Sequence, residues 1–237
     1  MRPVTVDQML FSQGFGTRHD CRALALSGRV SLAGRVLADP GEALDPEGAV
    51  FAVDGEPWPY FEKAVIALNK PAGYECSARP SFHPSVMSLR PAPLRARGMQ
   101  PVGRLDEDTT GLLLFTDDGQ LQHRLIHPKK HVAKTYRVTA RHPVTQATAD
   151  RLLAGVLLAD ENETVRAESC AVTGARELVM TITSGKYHQV KRMIAAAGNR
   201  VEALHRTAVG FFELPAGLAP GRWQWIADPA VFFRRPA

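Results

Sequence analysis

The apolar positions after residue 60 fall into short runs and alternating segments, a pattern typical of β-strands. Residues 112–115 form an apolar run between Gly111 and the turn signal at 117–119. A run this short is too brief for a core helix, so a buried strand is predicted there. Alternation over 132–140 predicts another strand. Its shared face consists of Val132, Lys134, Tyr136 and Val138, and Tyr136 is expected to face the core.

Helical periodicity is confined to stretches bounded by capping or stop signals. One helix opens within 184–194 and ends at Gly198-Asn199. Its buried stripe is predicted to be Val190, Met193, Ile194 and Ala197. The other helices are predicted at 6–13, 18–27 with Thr17 as N-cap, 120–127 and 144–155. A hairpin is predicted at 30–36, with its turn at Ala33-Gly34. Further strands are predicted at 49–53 and 64–69, after 155, and at 177–183, 204–206 and 209–214. Residues 77–100 are predicted to be a long irregular segment.

Glycine and proline mark a boundary near residue 60. The stretch 54–60 has the composition of a linker. With 237 residues, the chain is long enough for a small and a larger domain. We predict a first domain at 1–56, a linker at 57–62, a second domain at 63–230 and a tail at 231–237.

Composition places the chain among soluble globular proteins, with 45% hydrophobic and 22% charged residues. No apolar run is long enough to span a bilayer, and the first residues lack the apolar core of a signal peptide. The three cysteines are far apart and without paired spacing, which favours neither disulfides nor a zinc site and suits a reducing cytoplasm. The net charge of +5 indicates a polyanionic partner, and residues 1–60 carry −3, which leaves +8 for the remainder.

Acidic residues cluster around the apolar run at 112–115, and Asp106 lies on the loop that feeds this predicted strand. Leu105 makes its surroundings partly dry, while Arg104 supplies an opposite charge that favours the ionised carboxylate. Such a carboxylate is a candidate nucleophile. The sequence therefore predicts an active site at this loop.

Rival interpretations fit parts of the same stretch. The spacing of a calcium loop is matched by Asp106, Asp108, Thr110, Gly111 and Asp117. The apolar run and Pro101 exclude the flanking helices that an EF-hand needs. The Asp-x-Asp-x-Thr pattern resembles the first motif of haloacid-dehalogenase-type phosphotransferases, but that motif should end a buried strand, and residues 100–104 form a poor one. The remaining alternative is a solvated acidic turn with a structural role.

Basic residues are concentrated at two places in the second half of the chain. The densest cluster lies at 123–134 and includes Lys129 and Lys130, and phosphate binding is its natural use. Lys191 and Arg192 fall in the first turns of the helix that opens within 184–194. Cations near a helix N-terminus oppose the macrodipole, so an anion is expected there.

Residues 8–53 resemble an S4-type RNA-binding module. The resemblance rests on Ser27-Gly28-Arg29-Val30, Gly34-Arg35-Val36 and Asp39-Pro40-Gly41, and on Arg18 and Arg22 one turn apart on a predicted helix. It implies phosphate contacts, which fix position without reading sequence, from Arg18, Arg22, Arg29 and Arg35. The alternative is that these arginines form the solvated face of a small acidic domain.

Three ordered motifs in the second domain resemble the pseudouridine synthases of the RsuA/RluB family. They are Gly103-Arg104-Leu105-Asp106-x-x-Thr109-x-Gly111-Leu112-Leu113, then Lys134-x-Tyr136, then Gly185-Lys186-Tyr187-His188-Gln189-Val190-Lys191-Arg192-Met193. With the S4-like module in front and Leu204-His205-Arg206 behind, the match covers nearly the whole chain. It is most similar to the branch that modifies small-subunit ribosomal RNA.

The resemblance implies an α+β fold, in which a mixed, mainly antiparallel sheet with flanking helices and a central cleft follows a small S4-like α/β domain. Asp106 is then the essential carboxylate, Lys191 its ion-pair partner, and Tyr136 the ring that stacks on the flipped uracil. Arg104 is expected to hold the RNA backbone or flip with it, and Leu204 to pack beneath the base. Further substrate contacts are expected from Thr109, His188, Gln189, Arg192, Lys129, Lys130, Arg18, Arg22 and Arg29.

The implied reaction isomerises uridine to pseudouridine, so the N-glycosidic bond breaks, the base rotates and the ribose is joined to carbon. No water enters, one carboxylate suffices, and no metal or cofactor is required. The residues leave open whether Asp106 attacks the ribose, attacks the base or takes a sugar proton. The expected partner is small-subunit (16S) ribosomal RNA in an assembly intermediate, bound by a monomer without a membrane or obligate protein partner. The alternatives are large-subunit (23S) RNA as substrate, or a catalytically silent S4-type ribosome-assembly protein.

Overall fold

The computed structural model describes residues 2–159, 162 and 164–234, and the chain divides into two compact units. The first comprises the residues up to Ala64 together with Arg90–Gln100, and the second comprises Val65–Leu89 and the residues from Pro101 onwards. The segment Arg90–Gln100 lies inside the stretch predicted as the second domain, yet it packs with the first unit. Within that unit the Arg97 guanidinium donates to the side-chain oxygen of Gln13 at 2.6 Å and to the carbonyl of Phe61 at 2.9 Å.

Short strands and helices make up the first unit. They are β1 (Val4–Thr5), α1 (Val6–Ser12), α2 (Arg18–Leu26), β2 (Val30–Leu32), β3 (Arg35–Val36), β4 (Ala43–Leu44), β5 (Val50–Val53), β6 (Glu56–Pro59) and α3 (Ala92–Ala96). The strands pair antiparallel in the order β3-β2-β5-β6, and β1 pairs with β4. The core of this unit consists of Val6, Met9, Leu10, Cys21, Ala25, Val30, Leu37, Phe51 and Val53.

The start of α2 follows from its capping residues. Thr17 Oγ1 accepts a hydrogen bond from the backbone N–H of Asp20 at 3.2 Å, and the Asp20 carboxylate accepts one from the backbone N–H of Thr17 at 2.9 Å. This reciprocal arrangement satisfies N–H groups that have no partner inside the helix. The predicted N-cap at Thr17 is confirmed.

The second unit is built on one large sheet with helices around it. Its strands are β7 (Val65–Lys70), β9 (Thr110–Thr116), β10 (Lys134–Ala140), β11 (Val156–Leu157), β12 (Thr164–Val165), β13 (Ser169–Gly174), β14 (Glu177–Ile182), β15 (Val201–Val209), β16 (Phe212–Glu213) and β17 (Trp223–Trp225). Its α-helices are α4 (Gly119–Ile126), α5 (Gln146–Ala154) and α6 (Gln189–Ala196), and its 3₁₀-helices are Val86–Leu89, Pro128–Lys130 and Pro229–Phe232. The two-residue strand β8 (Gln100–Pro101) begins at the last residue of the first unit.

The sheet runs in the order β13-β14-β10-β15-β9-β7-β17, with β16 paired to β15. Its neighbours are antiparallel except for β9 and β15, which are parallel. Every residue of β7 is buried, as is every residue of β9 after Thr110. Such continuous apolar strands are covered on both faces. The mixed, mainly antiparallel sheet with flanking helices confirms the implied α+β fold.

Gly111 sets the spacing at the parallel junction of the sheet. It pairs with Arg206 in register, its φ is +98°, and an added Cβ would lie 2.3 Å from the Arg206 carbonyl oxygen. Any side chain would therefore force β9 and β15 apart. This close approach fixes the loop before β9, which carries Asp106, against the strand that carries Leu204 and Arg206.

Several predicted elements differ in the structure. Residues 77–100 are not wholly irregular, because they contain the 3₁₀-helix Val86–Leu89 and α3. The strands predicted at 204–206 and 209–214 are instead one long strand, β15, followed by a turn and the short β16. Ala197 lies at the C-cap of α6, half-buried, outside the predicted stripe.

The predicted C-terminal tail is wrong at its beginning. Phe232 is 1% exposed and packs into the core cluster that contains Leu121 and Leu125 of α4. Its large aromatic surface favours burial over solvation, even though it follows a proline-containing segment. Residues 235–237, the end of that prediction, lie outside the described residues. In the described part of the chain, no helix has the length and apolar character needed to cross a bilayer.

Candidate active site

A buried lysine holds the loop that carries Asp106. The Lys70 ammonium is fully buried and donates to the carbonyl oxygens of Pro71 at 3.1 Å, Glu107 at 2.9 Å and Thr109 at 2.9 Å. The backbone N–H of Gly73 also donates to the Glu107 carbonyl, at 3.0 Å. Burial lowers the pKa of Lys70, and nearby negative groups oppose that shift. These bonds tie the loop to the end of β7.

Asp106 belongs to a compact cluster of charges. The Lys191 ammonium lies 2.9 Å from one Asp106 oxygen and 2.6 Å from an Asp108 oxygen, and His188 Nε2 lies 3.1 Å from the other Asp106 oxygen. The side chains of Asp106 and Lys191 are 27% and 26% exposed, whereas Asp108 is 59% exposed. Asp106 is therefore the more enclosed carboxylate, and its expected ion pair with Lys191 is present.

The pKa shifts in this cluster follow from the shared ammonium. Burial alone would raise the pKa of Asp108, but hydrogen bonds and charge from Lys191 outweigh burial and lower it. Burial would lower the pKa of Lys191, but the hydrogen bonds and charges of both carboxylates outweigh it and raise that pKa. Asp108 and Lys191 each stabilise the charged form of the other.

The segment before α6 places Lys191 and His188. His188 has a left-handed backbone conformation, with φ of 47°, at the N-cap of the helix, and Tyr187 stacks on its ring at 3.7 Å. The Gln189 side chain bonds the Ser184 hydroxyl and accepts from the backbone N–H of Lys186 at 2.9 Å. These contacts fix the turn that leads into the helix, so Gln189 has an internal structural role in this structure.

Asp106 opens onto a cavity of about 160 Å³ in the second unit. Its floor is one face of β10 and β15, because Tyr136 pairs with Arg206 and Val138 pairs with Leu204 in register. Tyr136 is 8% exposed and Leu204 is 7% exposed. The predicted site residues that line this cavity are Arg104, Asp106, Thr109, Tyr136, His188, Gln189, Lys191 and Leu204.

Arg104 does not supply the charge next to Asp106. Its side chain is exposed and lines the cavity, but no ion pair within the described residues joins it to that carboxylate. The buried Leu105 separates the two residues, and Lys191 approaches Asp106 from α6. Lys191 therefore provides the direct ion pair of Asp106, and the expectation that the charge of Arg104 opposes the desolvation of Asp106 stays a prediction.

Three predicted contact residues of the second unit lie away from the cavity lining. The Arg192 guanidinium donates to the carbonyl oxygens of Ala159 and Tyr187, so it is engaged by the backbone. Lys129 and Lys130 are exposed on the 3₁₀-helix Pro128–Lys130. Any RNA contact from these residues lies outside the enclosed site.

The predicted arginines of the first unit differ in their partners. Arg29 forms a bidentate pair with Asp54 at 2.6 Å, and Arg22 lies 3.3 Å from Asp7. Arg18 instead lies over the Phe11 ring, 5.1 Å from its centroid. These acidic partners were not foreseen, because Asp7 lies on α1 and Asp54 in the turn after β5, far from the arginines in the sequence. Phosphate binding by Arg29 must compete with Asp54.

The described part of the chain around the acidic stretch lacks the elements that the calcium-loop and phosphotransferase interpretations need. β9 fills the middle of the proposed calcium loop, so the chain there is a buried strand. The segment before Asp106 contains only the two-residue strand β8, in place of the buried strand of a phosphotransferase. Within the described residues, no group of three or more His, Cys, Asp or Glu side chains is arranged to hold a metal ion.

Sequence reasoning missed three residues around the site. Asp108 was considered only for rival motifs, although its position two residues after Asp106 on a loop allows one cation to bind both. Lys70 ends a mainly apolar strand in which every residue is buried, and a charge in that setting signals a buried internal role. Arg206 is 4% exposed and lines the cavity, where it continues the strand that contains Leu204.

Comparison with known proteins defines the class to which this fold and site belong. Residues 64–196 match the RNA pseudouridylate synthase family, a segment that contains Asp106, Tyr136 and Lys191. The chain belongs to this family of RNA-modifying enzymes.

Individual relatives cover most of the chain. It is 40% identical over 204 residues to the ribosomal small subunit pseudouridine synthase A of Escherichia coli strain K12, covering 86% of this chain and 87% of the relative. It is 37% identical over 227 residues to an uncharacterised RNA pseudouridine synthase, YtzG, of Bacillus subtilis strain 168, covering 94% and 95%. A crystal structure of a pseudouridylate synthase superposes with a TM-score of 0.66 at 33% identity, covering 94% of this chain and 96% of that one.

Proposed function

We propose that this enzyme converts a uridine of small-subunit (16S) ribosomal RNA to pseudouridine, with Asp106 as the reacting carboxylate. The observation that carries the proposal is the enclosed ion pair between Asp106 and Lys191 in a cavity whose floor contains Tyr136. An ionised carboxylate beside an aromatic ring in a basic cleft suits a reaction on a base removed from its helix. The near full-length similarity to a small-subunit enzyme supports the choice of RNA.

The proposed roles follow the geometry of the cavity. Tyr136 stacks on the flipped uracil, and Leu204, next to it on the same face, packs beneath the base. Arg104 at the exposed rim contacts the RNA backbone, as do Lys129 and Lys130 outside the cavity. Lys191 pairs with the Asp106 carboxylate and aims it into the cavity. Since the target is rotated and re-attached within one site, enclosing the detached base prevents its loss to solvent.

The substrate and assembly state are part of the same proposal. The enzyme acts in the cytoplasm on an assembly intermediate of the small subunit, where the target strand is still accessible. It acts as a monomer, since all the residues named above as lining the cavity belong to a single chain. A catalytically silent assembly protein would have no need of an enclosed, ionised Asp106.

The test presents the purified enzyme with 16S transcript, 23S transcript, a reconstituted small-subunit intermediate and mature small subunits. Pseudouridines are then mapped by carbodiimide modification and primer extension. We expect one new pseudouridine in small-subunit RNA and none in 23S RNA, with the intermediate modified faster than the mature particle. Product in 23S RNA alone would favour the large-subunit alternative. Tight RNA binding without product in any substrate would favour the silent assembly protein.

A further inference from the structure

The floor of the cavity carries two cations that have no carboxylate partner among the described residues. Lys134 lies on β10 two residues before Tyr136, and Arg206 on β15 pairs with Tyr136 in register. All three residues line the cavity. They therefore share the face on which the uracil is proposed to stack.

Arg206 is fixed by the protein on one side only. Its Nε donates to the carbonyl oxygen of Leu112 at 2.7 Å. Its Nη2 is buried and has no hydrogen-bond partner among the described residues. A buried donor without an acceptor is costly unless a ligand supplies one.

Lys134 is the more accessible of the two cations. It is half-buried, and its ammonium has no hydrogen bond or ion pair within the described residues. Burial lowers the pKa of Lys134 to about 8, and the charge of Arg206 lowers it further in the same direction. Its strand neighbours across the sheet, Ile182 and Val209, are apolar. The other charged or titratable residues that line the cavity are Arg104, Asp106, Tyr136, Lys186, His188, Lys191 and Arg206.

Neither acidic residue of the site neutralises this pair. Asp106 is engaged by Lys191 and His188, and Asp108 by Lys191. Lys134 is half-buried and Arg206 is buried, and two such cations without a counter-charge among the described residues disfavour each other. Their retention indicates that negative charge arrives with the substrate. The nearest substrate group is the base, because Lys134 and Tyr136 are alternate residues on one strand face.

The reaction generates negative charge on that base. When the bond between ribose C1′ and uracil N1 breaks, its electron pair stays with the base and spreads over N1, O2 and O4. We propose that Lys134 donates a hydrogen bond to a carbonyl oxygen of the target uracil and stabilises the detached uracil anion, with Arg206 as a positioning residue that reinforces the local positive field. The charge disappears when C5 joins C1′; C5 then loses a proton and N1 gains one, while Lys134 remains an ammonium throughout. This inference rests on the proposed function.

The first test uses the full-length enzyme and single-turnover kinetics on the RNA that wild type modifies. Lys134→Met removes the ammonium, and Arg137→Met is the matched control, because it removes a cation from the exposed side of the same strand. We expect Lys134→Met to slow the reaction about 100-fold, as for a lost donor to a developing anion, with little change in RNA affinity. The control should stay within about threefold, since Arg137 lies away from the cavity.

A better leaving base distinguishes charge stabilisation from other roles. Fluorine at C5 makes uracil more acidic, so the detached 5-fluorouracil anion needs less help. With 5-fluorouridine at the target, the defect of Lys134→Met, followed as loss of the starting nucleoside, should shrink to about tenfold or less. An undiminished defect together with weaker RNA binding would assign Lys134 to a backbone phosphate and overturn the inference.

The pH profile gives an independent measurement. Wild-type turnover should fall as pH rises through about 8, where Lys134 loses its proton. In Lys134→Arg the guanidinium keeps its charge, so the rate of this variant should stay constant to higher pH than that of wild type. Both enzymes are measured on the same RNA, so any titration of the RNA affects both profiles equally. Thermal unfolding of free Lys134→Met should occur at or above the wild-type temperature, because an unpaired buried cation is removed. Identical basic limbs in wild type and Lys134→Arg would contradict the inference, whereas an inactive wild type would instead contradict the proposed function.

Discussion

The Lys191 ammonium lies 2.9 Å from a carboxylate oxygen of Asp106 and joins the first turn of α6 to the loop before β9. A cation at this end of a helix opposes the helix dipole, so by itself it is unfavourable. Asp106 and Asp108 together supply the missing negative charge. The anion expected from the sequence is thus provided by the protein, and the pairing holds Asp106, the carboxylate proposed to react, in the cavity.

Replacing Lys191 by Met should cripple turnover while leaving the protein folded. Without the ammonium, the Asp106 carboxylate loses the ion pair that holds it in the cavity, so the single-turnover rate should fall sharply. The measurement is the single-turnover rate, with folding checked by thermal unfolding. Lys191→Arg retains the charge with a different donor geometry and should keep partial activity. Full activity of Lys191→Met would show that another cation serves Asp106.

Lys70 should be a stability residue whose loss also disturbs the active-site loop. Lys70→Met removes three hydrogen bonds to buried or partly buried carbonyls, and we expect a loss of about 3 kcal/mol in the free energy of unfolding. Urea denaturation measures it. Lys134→Met is the matched control, because Lys134 has no such bonds and its loss should not destabilise the protein. If Lys70→Met and Lys134→Met both had the free energy of unfolding of wild type, Lys70 would not anchor the loop.

The hydroxyl of Thr109 should matter more to the reaction than to folding. Its Oγ1 is buried without a hydrogen-bond partner in the described structure. Thr109→Val should therefore leave the free energy of unfolding unchanged or raise it by up to about 1 kcal/mol. The rate should fall about tenfold if this hydroxyl meets the substrate.

Thr116 offers the matched control for this substitution. It is also buried, but its Oγ1 accepts a hydrogen bond from the backbone N–H of Asp118 at 3.0 Å. Thr116→Val should cost about 1 kcal/mol in urea denaturation and leave the rate nearly unchanged. A destabilised, fully active Thr109→Val would show that its hydroxyl is used internally.

The salt dependence of RNA binding should show which arginines of the first unit contact phosphates. Arg18 has no acidic partner among the described residues, whereas Arg29 is paired with Asp54. Each phosphate contact releases counterions, so Arg18→Gln should reduce the slope of log affinity against log salt by about one. Arg29→Gln should change it less, since Asp54 already neutralises that charge. Filter binding over a salt series measures both. If neither substitution alters the slope, the S4-like unit does not hold RNA through these residues.

Features that depend on local sequence pattern could be predicted, whereas most features that depend on long-range packing could not. The run at 112–115 and the cap at Thr17 were predictable because each depends on neighbours in the chain. The pairing of Lys191 with Asp106 was predictable from ordered motifs. The bonds of Arg29 with Asp54 and the burial of Phe232 depend on tertiary contacts, which periodicity does not encode. Asp108 was missed because two carboxylates on one loop gave no sign of which would meet the ammonium.

The most direct test of the central claim compares Asp106→Asn with Asp108→Asn. Both substitutions remove one negative charge beside Lys191, but only Asp106 is proposed to react. Asp106→Asn should bind small-subunit RNA within about threefold of wild type, since the phosphate-contacting cations remain, and form no detectable pseudouridine.

Asp108→Asn should keep forming the product, slowed by no more than about tenfold, because Lys191 still holds Asp106. The decisive measurement is the amount of pseudouridine formed in a single turnover by each variant at saturating enzyme. Product from Asp108→Asn and none from Asp106→Asn is the predicted result. Normal product formation by Asp106→Asn would contradict the assignment of Asp106 as the reacting carboxylate.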